Sequence, residues 1–325
     1  MRIKELNDSS IVIFHSAGIA QLELKDLPDE LKSDLNYDEE RDHARREILA
    51  KQVQERLIKQ PTSDPKPRSN EESGNLMSLF GSPPVVQNNV DFRPIYSSLE
   101  LGTRNQGSRP SCAVFAMVSA IEYLRAKRTG VTEKFSEEYL IWAVLQTLGR
   151  GVNGLNGHQE SGFDIGFTLL EVAQALRAYG IPLRSQMPYS LFGGMNTDHS
   201  PSDAVIESAR ERSKISAYLV PGRSNSTKIA NIIHALNGDK PIVIGLAWPH
   251  YNKLAKTALL RKQTPLQGAG HAVTLVGYRC ETGRLEDTSF IFRNSWGRDW
   301  GAGGYGVIRY EYLEKYLNSA LLMEL

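Results

Sequence analysis

Long apolar runs are missing from this chain, and so is an excess of charge of either sign. No stretch approaches the roughly 18 consecutive apolar residues that cross a bilayer, which excludes a membrane-embedded protein. The 38 Lys and Arg residues are balanced by 37 Asp and Glu, a formal net charge of +1. Phosphate backbones are neutralised by clustered positive charge, so this balance argues against a nucleic-acid binder. Cysteine is scarce: Cys112 and Cys280 are the only two. They allow at most one disulfide and no disulfide framework, so a reducing compartment is the simpler reading. A secretory signal needs about 7–15 uninterrupted apolar residues. Here Arg2, Lys4, Glu5 and Asp8 precede a run of only four, Ile11 to Phe14. The compartment expected is the cytoplasm, or the exterior by export without a classical signal; a chain trimmed of its leader would read the same.

What is present is ordinary for a globular protein. The 325 residues are 41% hydrophobic and 23% charged, enough for one large or two modest units with a sizeable core. Residues 1–24 can form one or two strands. From Leu27 to Gln60, Leu31, Leu35, Ile48, Val53 and Leu57 fall at near-helical spacings among many charges, which predicts exposed amphipathic helices. Residues 61–90, rich in Pro, Ser, Asn and Gly, predict a linker. One apolar island, Leu76 to Phe80, interrupts it. Residues 91–325 are continuously globular. Helices are predicted from about Ser111 to Lys127, from Ser136 with acidic residues in its first turn, and from Thr168 to Ala178 with Gly180 as its stop. Beyond Pro241 the pattern turns to strands. The fold class is therefore α+β, with a helical lobe at about 91–210, a β-rich lobe at about 211–325, and a cleft between them.

Four residues carry the candidate chemistry. Cys112 opens a helix behind Pro110 and Ser111, where the helix dipole and free N–H groups stabilise a thiolate. Taken alone, a lone cysteine is more often a buried structural one, and Cys280, after Thr-Leu-Val-Gly-Tyr, fits that description. His271 follows Gly-Ala-Gly at the start of a strand; a neutral imidazole beside a cysteine can take the thiol proton. Asn294 can hold that ring in orientation, with Trp296 and Trp300 shielding the bond from water; otherwise this is a Gly-rich hairpin with packed tryptophans. Gln106, six residues before Cys112, can aim its amide at a developing oxyanion alongside the Cys112 N–H. His158, Glu160 and Asp164 cluster in sequence but lack metal-ligand spacing, and read as a polar loop. No metal and no cofactor is implied.

The blocks Asn105-Gln-Gly-Ser-Arg-Pro-Ser-Cys112, Gly270-His-Ala-Val-Thr274 and Phe292-Arg-Asn-Ser-Trp-Gly297 resemble, in order, the signatures of the papain-like cysteine proteases. His271 lies 159 and Asn294 182 residues after Cys112, so modest insertions over the usual roughly 130–150 are implied. The resemblance covers about residues 91–325. It implies a two-lobed fold with a helical left lobe, a β-barrel-like right lobe and the active site in the cleft. It makes Cys112 the nucleophile, His271 the base and acid, Asn294 the orienter and Gln106 the oxyanion donor, acting on a protein or peptide substrate. Gly166, with Gly162 as alternative, would pair with substrate backbone. Phe167, Gly245 and Ala272 would line a roomy apolar pocket for the second residue before the cut, with Trp296 beside them.

The chain also departs from the pattern. Where family members carry Cys-Gly-Ser-Cys-Trp, this one has Arg109-Pro-Ser-Cys-Ala113. That removes a familiar disulfide and a packing residue, and puts substrate preference in doubt more than catalysis. Residues 1–90 have the size and place of an inhibitory propeptide, which would put its island Leu76–Phe80 in the cleft; a permanent accessory segment is the rival. The activity expected is peptide hydrolysis through a thioester. The alternatives are deamidase or transpeptidase chemistry by the same triad, and a catalytically silent peptide-binding module.

Overall fold

The computed structural model describes residues 2–6, 10–15, 18–23, 32, 40, 76–149, 166–191, 200–249 and 258–325. The chain divides into two units, residues 1–61 and 62–325. In the first, β1 (Arg2–Leu6), β2 (Ser10–His15) and β3 (Gly18–Glu23) form an antiparallel sheet in chain order, three strands rather than one or two. Three residues separate β1 from β2 and two separate β2 from β3, so consecutive strands pair directly. Lys32 and Glu40 are helical. The remainder of the predicted 27–60 helices lies outside the described residues.

After a helical turn at residues 76–79, the second unit continues through β4 (Asn89–Asp91) and a short α1 (Arg93–Ser98). Then α2 (Cys112–Thr129) starts behind Pro110-Ser111 and ends where Gly130 takes a left-handed φ of 71°. It is buried on nearly every side, as a central helix lined by Ala113, Ala116 and Ala120 must be. In α3 (Glu137–Thr147), the Ser136 hydroxyl accepts from Tyr139 N–H, the predicted N-cap. In α4 (Leu169–Tyr179), Thr168 and Glu171 form a reciprocal capping box. Gly180 closes it at φ 70°, where a Cβ would stand 2.0 Å from the Ala209 carbonyl oxygen. Next come α5 (Asp203–Arg210), β5 (Ser216–Leu219), α6 (Asn225–Asn237), β6 (Ile242–Pro249), β7 (Leu259–Leu260) and the long β8 (Pro265–Arg279). The chain finishes through β9 (Ser289–Arg293), β10 (Tyr305–Arg309), α7 (Tyr310–Tyr316) and β11 (Leu317–Glu324). Among the described residues, no helix is long and apolar enough to cross a membrane.

One sheet, in the order β5-β11-β6-β8-β9-β10-β7 with β4 added to β8, organises this unit. The fold is α+β, as predicted, but the barrel-like expectation is corrected: among the described residues β5 pairs only with β11 and β7 only with β10, so the sheet stays open. Period-two alternation sends residues of the same strands into two cores. Val243, Ala272, Leu321 and Met323 face the helical core with Val114, Ile121 and Leu140, whereas Ile242, Ile244, Val273 and Leu322 face the β-rich core with Phe290 and Ile308. The central strands are thus a wall shared by both lobes.

Residues 76–90, part of the stretch expected to be a linker, pack on the second unit. Leu76 is buried in the β-rich core with Phe92 and Tyr96. Gly81 N–H donates to Asn231 Oδ1 (2.9 Å), His234 Nε2–H to the Ser82 carbonyl (3.0 Å) and Asn237 Nδ2 to the Val85 carbonyl (2.8 Å). Residues 81–85 therefore run along α6, satisfied by side chains three residues apart on one helix face. Leu76, Met77 and Phe80 pack on that core while Leu79 stays exposed, so the island is not the cleft-filling element that the sequence allowed. Leucine, methionine and phenylalanine there buy burial against the main body instead.

Candidate active site

Cys112 occupies the first turn of α2, and β8 crosses that helix start: Thr274 Oγ1 donates to the Ala116 carbonyl at 2.8 Å. The crossing puts the Cys112 sulfur within reach of the N–H of Ala272, the residue after His271. Burial pushes the Cys112 thiol up, while the N–H groups of Ala272, Ala113 and Cys112 itself pull it down.

His271 is where β8 enters the core; it lies opposite Leu246 of β6. Its Nε2–H donates to Asn294 Oδ1 at 2.7 Å, a buried bond that leaves Nδ1 free to accept a proton. Trp248 meets the ring edge-on at 4.5 Å and Trp296 covers it at 4.7 Å, with Trp300 edge-on behind Trp296 at 5.3 Å. This apolar box lowers the His271 pKa to about 4, burial outweighing the Asn294 bond that raises it. Asn294 is itself held, its N–H donating to the Gly304 carbonyl and its Oδ1 also accepting from Ser295 N–H.

Gln106 is stitched to the same loop. Its N–H donates to the Ser295 carbonyl at 2.7 Å, and its Oε1 accepts from the Ser295 hydroxyl at 2.5 Å. The second bond decides which way the amide points, because a hydroxyl pointed at Oε1 leaves Nε2 on the other side. Nε2 donates to the Arg109 carbonyl at 2.7 Å. The bridge between Asn105 and Trp296 completes the seam. Chain segments almost 190 residues apart thus set one another's geometry.

The structure links His271 to Asn294 and Trp296, Gln106 to Ser295, and the Cys112 sulfur to the N–H of Ala272 next to His271. Gly166 packs on the nucleophile loop, where a Cβ would lie 2.9 Å from the Pro110 carbonyl oxygen. Gly245 pairs with Ala272 across β6 and β8, and a Cβ on it would lie 2.9 Å from Ser319 Oγ and 3.9 Å from Leu169. Phe167, Leu169 and Ala272 share the helical core. Gly162, His158, Glu160 and Asp164 lie outside the described residues. Among the described residues, no group of His, Cys, Asp or Glu has the arrangement to hold a metal ion.

Sequence reasoning missed Trp248, Ser295, Ser319 and the pair Arg109–Glu138. Ser295 had a signal, its place beside Asn294. Trp248 and Ser319 had none, because only strand pairing carries them to His271 and Gly245.

Comparison with known proteins places the chain in a family. Residues 86–319 match the model of the papain family cysteine proteases. A probable cysteine protease of Arabidopsis thaliana, RDL6, is 27% identical over 248 residues, covering 74% of this chain and 60% of that protein. The cathepsin L-like proteinase of Fasciola hepatica is 25% identical over 231 residues, covering 68% and 60%. The matches thus span about three fifths of these relatives' own length. Among solved structures, xylellain, a cysteine protease from Xylella fastidiosa, superposes with a TM-score of 0.58 at 20% identity, covering 80% of this chain and 91% of that one. The proform of the ragweed pollen protease Amb a 11 gives 0.55 at 21%, covering 81% and 72%. These likenesses establish the fold, and the family match covers most of the chain: it belongs to the papain family of cysteine proteases.

Proposed function

We propose that this chain is a cysteine-type peptidase that cleaves protein or peptide substrates through a thioester. The observation that carries the reading is the buried bond from His271 Nε2–H to Asn294 Oδ1, with the Cys112 sulfur beside the backbone N–H of Ala272. That bond fixes the tautomer in which Nδ1 is a base. Burial works against an isolated thiolate and an isolated imidazolium alike, but a proton passed from Cys112 to His271 creates both charges side by side. Each then offsets the other's desolvation, and the pair titrates as a unit.

The thiolate adds to the substrate carbonyl carbon, and the carbonyl electrons move to oxygen. The Cys112 N–H and Gln106 Nε2–H stabilise that oxyanion. The imidazolium gives its proton to the departing amine as the C–N bond breaks, leaving a thioester. Neutral His271 then takes a proton from water, which displaces the thiol and releases the acid. The small residues Gly245 and Ala272, with Phe167, leave room for an apolar substrate side chain.

Residues before Leu76 act as an inhibitory segment in this reading. Its support is their position ahead of the enzyme body and the proform state of the ragweed neighbour. Intact mass after exposure to an epoxysuccinyl thiol reagent tests both parts. The expected result is single labelling that is rapid in a chain starting at Leu76, slow in the full chain, and lost in Cys112→Ala. Equal labelling of both chains would retire the inhibitory segment alone. Absence of labelling in a folded short chain would overturn the peptidase. A product of unbroken backbone about one mass unit heavier, the mark of side-chain deamidation, would also overturn it.

A further inference from the structure

Arg109 is the largest of the fully buried side chains, 1% exposed. A charge so buried needs partners, and these are specific. Its guanidinium donates to both carboxylate oxygens of Glu138 on α3, at 2.5 and 3.2 Å, and to the Ser190 carbonyl at 3.0 Å. It also lies 4.8 Å from the centre of the Tyr189 ring. Glu138 Oε2 accepts a further N–H from Ser190 at 3.1 Å. The side chain of Arg109 is therefore anchored to the helical lobe at both ends of a rigid fork.

The main chain of Arg109 points the other way. Its carbonyl accepts Gln106 Nε2–H at 2.7 Å and Ser111 N–H at 2.8 Å. The Tyr189 hydroxyl donates to the Gln106 carbonyl at 2.7 Å. One residue thus joins α3 to the amide of Gln106 and to the residue that precedes Cys112. A fork with two parallel bonds fixes a direction as well as a distance, which apolar packing does not.

We propose that Arg109, held by Glu138, is a positioning residue for the reaction: it sets the carbonyl on which the Gln106 amide rests, so that the second Nε2 proton is presented to the oxyanion. The proposal rests on the peptidase reading and on the role given to Gln106 there. Tyr189 and Ser190 keep the fork in place, and Tyr189 also holds the Gln106 carbonyl.

The test compares steady-state hydrolysis of a peptide substrate with alkylation of Cys112 by iodoacetamide, which displaces iodide and forms no oxyanion. In Arg109→Lys the charge remains and the fork is lost. Its kcat is expected to fall about tenfold, part of the roughly 100-fold that removing an oxyanion donor costs. KM and the alkylation rate should stay within about twofold of wild type. Because Arg109 acts through Gln106, adding Arg109→Lys to Gln106→Ala should cost nothing further. The paired change Arg109→Met with Glu138→Leu removes both charges, so a folded protein is expected even where a single change unfolds. It should melt normally yet keep the low kcat. The proposal is overturned if alkylation falls in step with kcat, if the losses with Gln106→Ala add in full, or if the Met–Leu pair restores wild-type kcat. Lack of any turnover by wild type would instead overturn the peptidase reading, and this proposal with it.

Discussion

At the scale of single residues, the site depends on one hydrogen bond inside an aromatic box. His271 sits between Trp248 and Trp296, and among the described residues only Asn294 Oδ1 gives its Nε2–H a buried partner. Asn294→Ala leaves that donor unpaired and frees the ring to turn. A lost orientation of this kind is expected to lower kcat up to about 100-fold, with KM little changed, as steady-state kinetics would show. The pH profile follows from the same burial. A His271 pKa lowered to about 4 keeps the ring neutral, and so able to act as base, until pH falls to that value. Because Cys112 and His271 titrate as a pair, the acid limb of kcat/KM belongs to the pair, and burial of the ring is expected to move it below the unperturbed histidine value of about 6.5. The sign for stability is the same. Between about 6.5 and 4 the unfolded chain takes up a proton that folded His271 refuses, so this residue's contribution to stability is lost as pH falls through that window. An acid limb near 6.5 would mean a wetter ring than the box allows.

At the scale of elements, glycines mark where backbones must touch. Gly180 ends α4 in a left-handed conformation with the Ala209 carbonyl oxygen 2.0 Å from the place of a Cβ. Gly180→Ala is expected to cost about 2–3 kcal/mol through strain and overpacking, measurable by urea unfolding. Gly245 is different, since its nearest neighbour is the side-chain oxygen of Ser319 and not a backbone atom. Its removal from glycine should fill space and spare the fold. Gly245→Val is expected to lower kcat/KM for peptides with leucine or phenylalanine two residues before the cut by about tenfold relative to alanine there. A uniform loss across both substrates would place the pocket elsewhere. The capping box at Thr168 and Glu171 is worth about 1 kcal/mol on removal. It also starts α4 beside Gly166 and Phe167, so the cap and the proposed pocket share one turn of chain.

At the scale of the whole molecule, residues 76–91 belong with the enzyme body. Leu76 contributes about 2 kcal/mol by burial. The bonds to Asn231, His234 and Asn237, with Gln87 N–H on the Tyr278 hydroxyl, add about 1 kcal/mol each. Against a usual total stability of about 5–15 kcal/mol, that share is large. A chain starting at Val90 is expected to melt at least about 10 °C below one starting at Leu76, which thermal denaturation of the two would check. Equal melting points would show that the strap along α6 is dispensable.

Local patterns sufficed for much of this. Ser136, Thr168 and Gly180 announce their helix ends because capping uses residues within four positions of one another. The blocks around Cys112, His271 and Asn294 were legible because each packs its special chemistry into a few consecutive residues. The openness of the sheet, the burial of Leu76 and the true start of the body were not, since each depends on a partner far along the chain. Arg109 and Glu138 lie 29 residues apart and Ser319 meets Gly245 only through strand pairing, so no local pattern joins either pair. Sequence by itself determined the fold class, the family and the residue types at the site. Only the tertiary structure decided which way Gln106 points, what covers His271 and what anchors Arg109, because those are settled by contacts between residues that no local period connects.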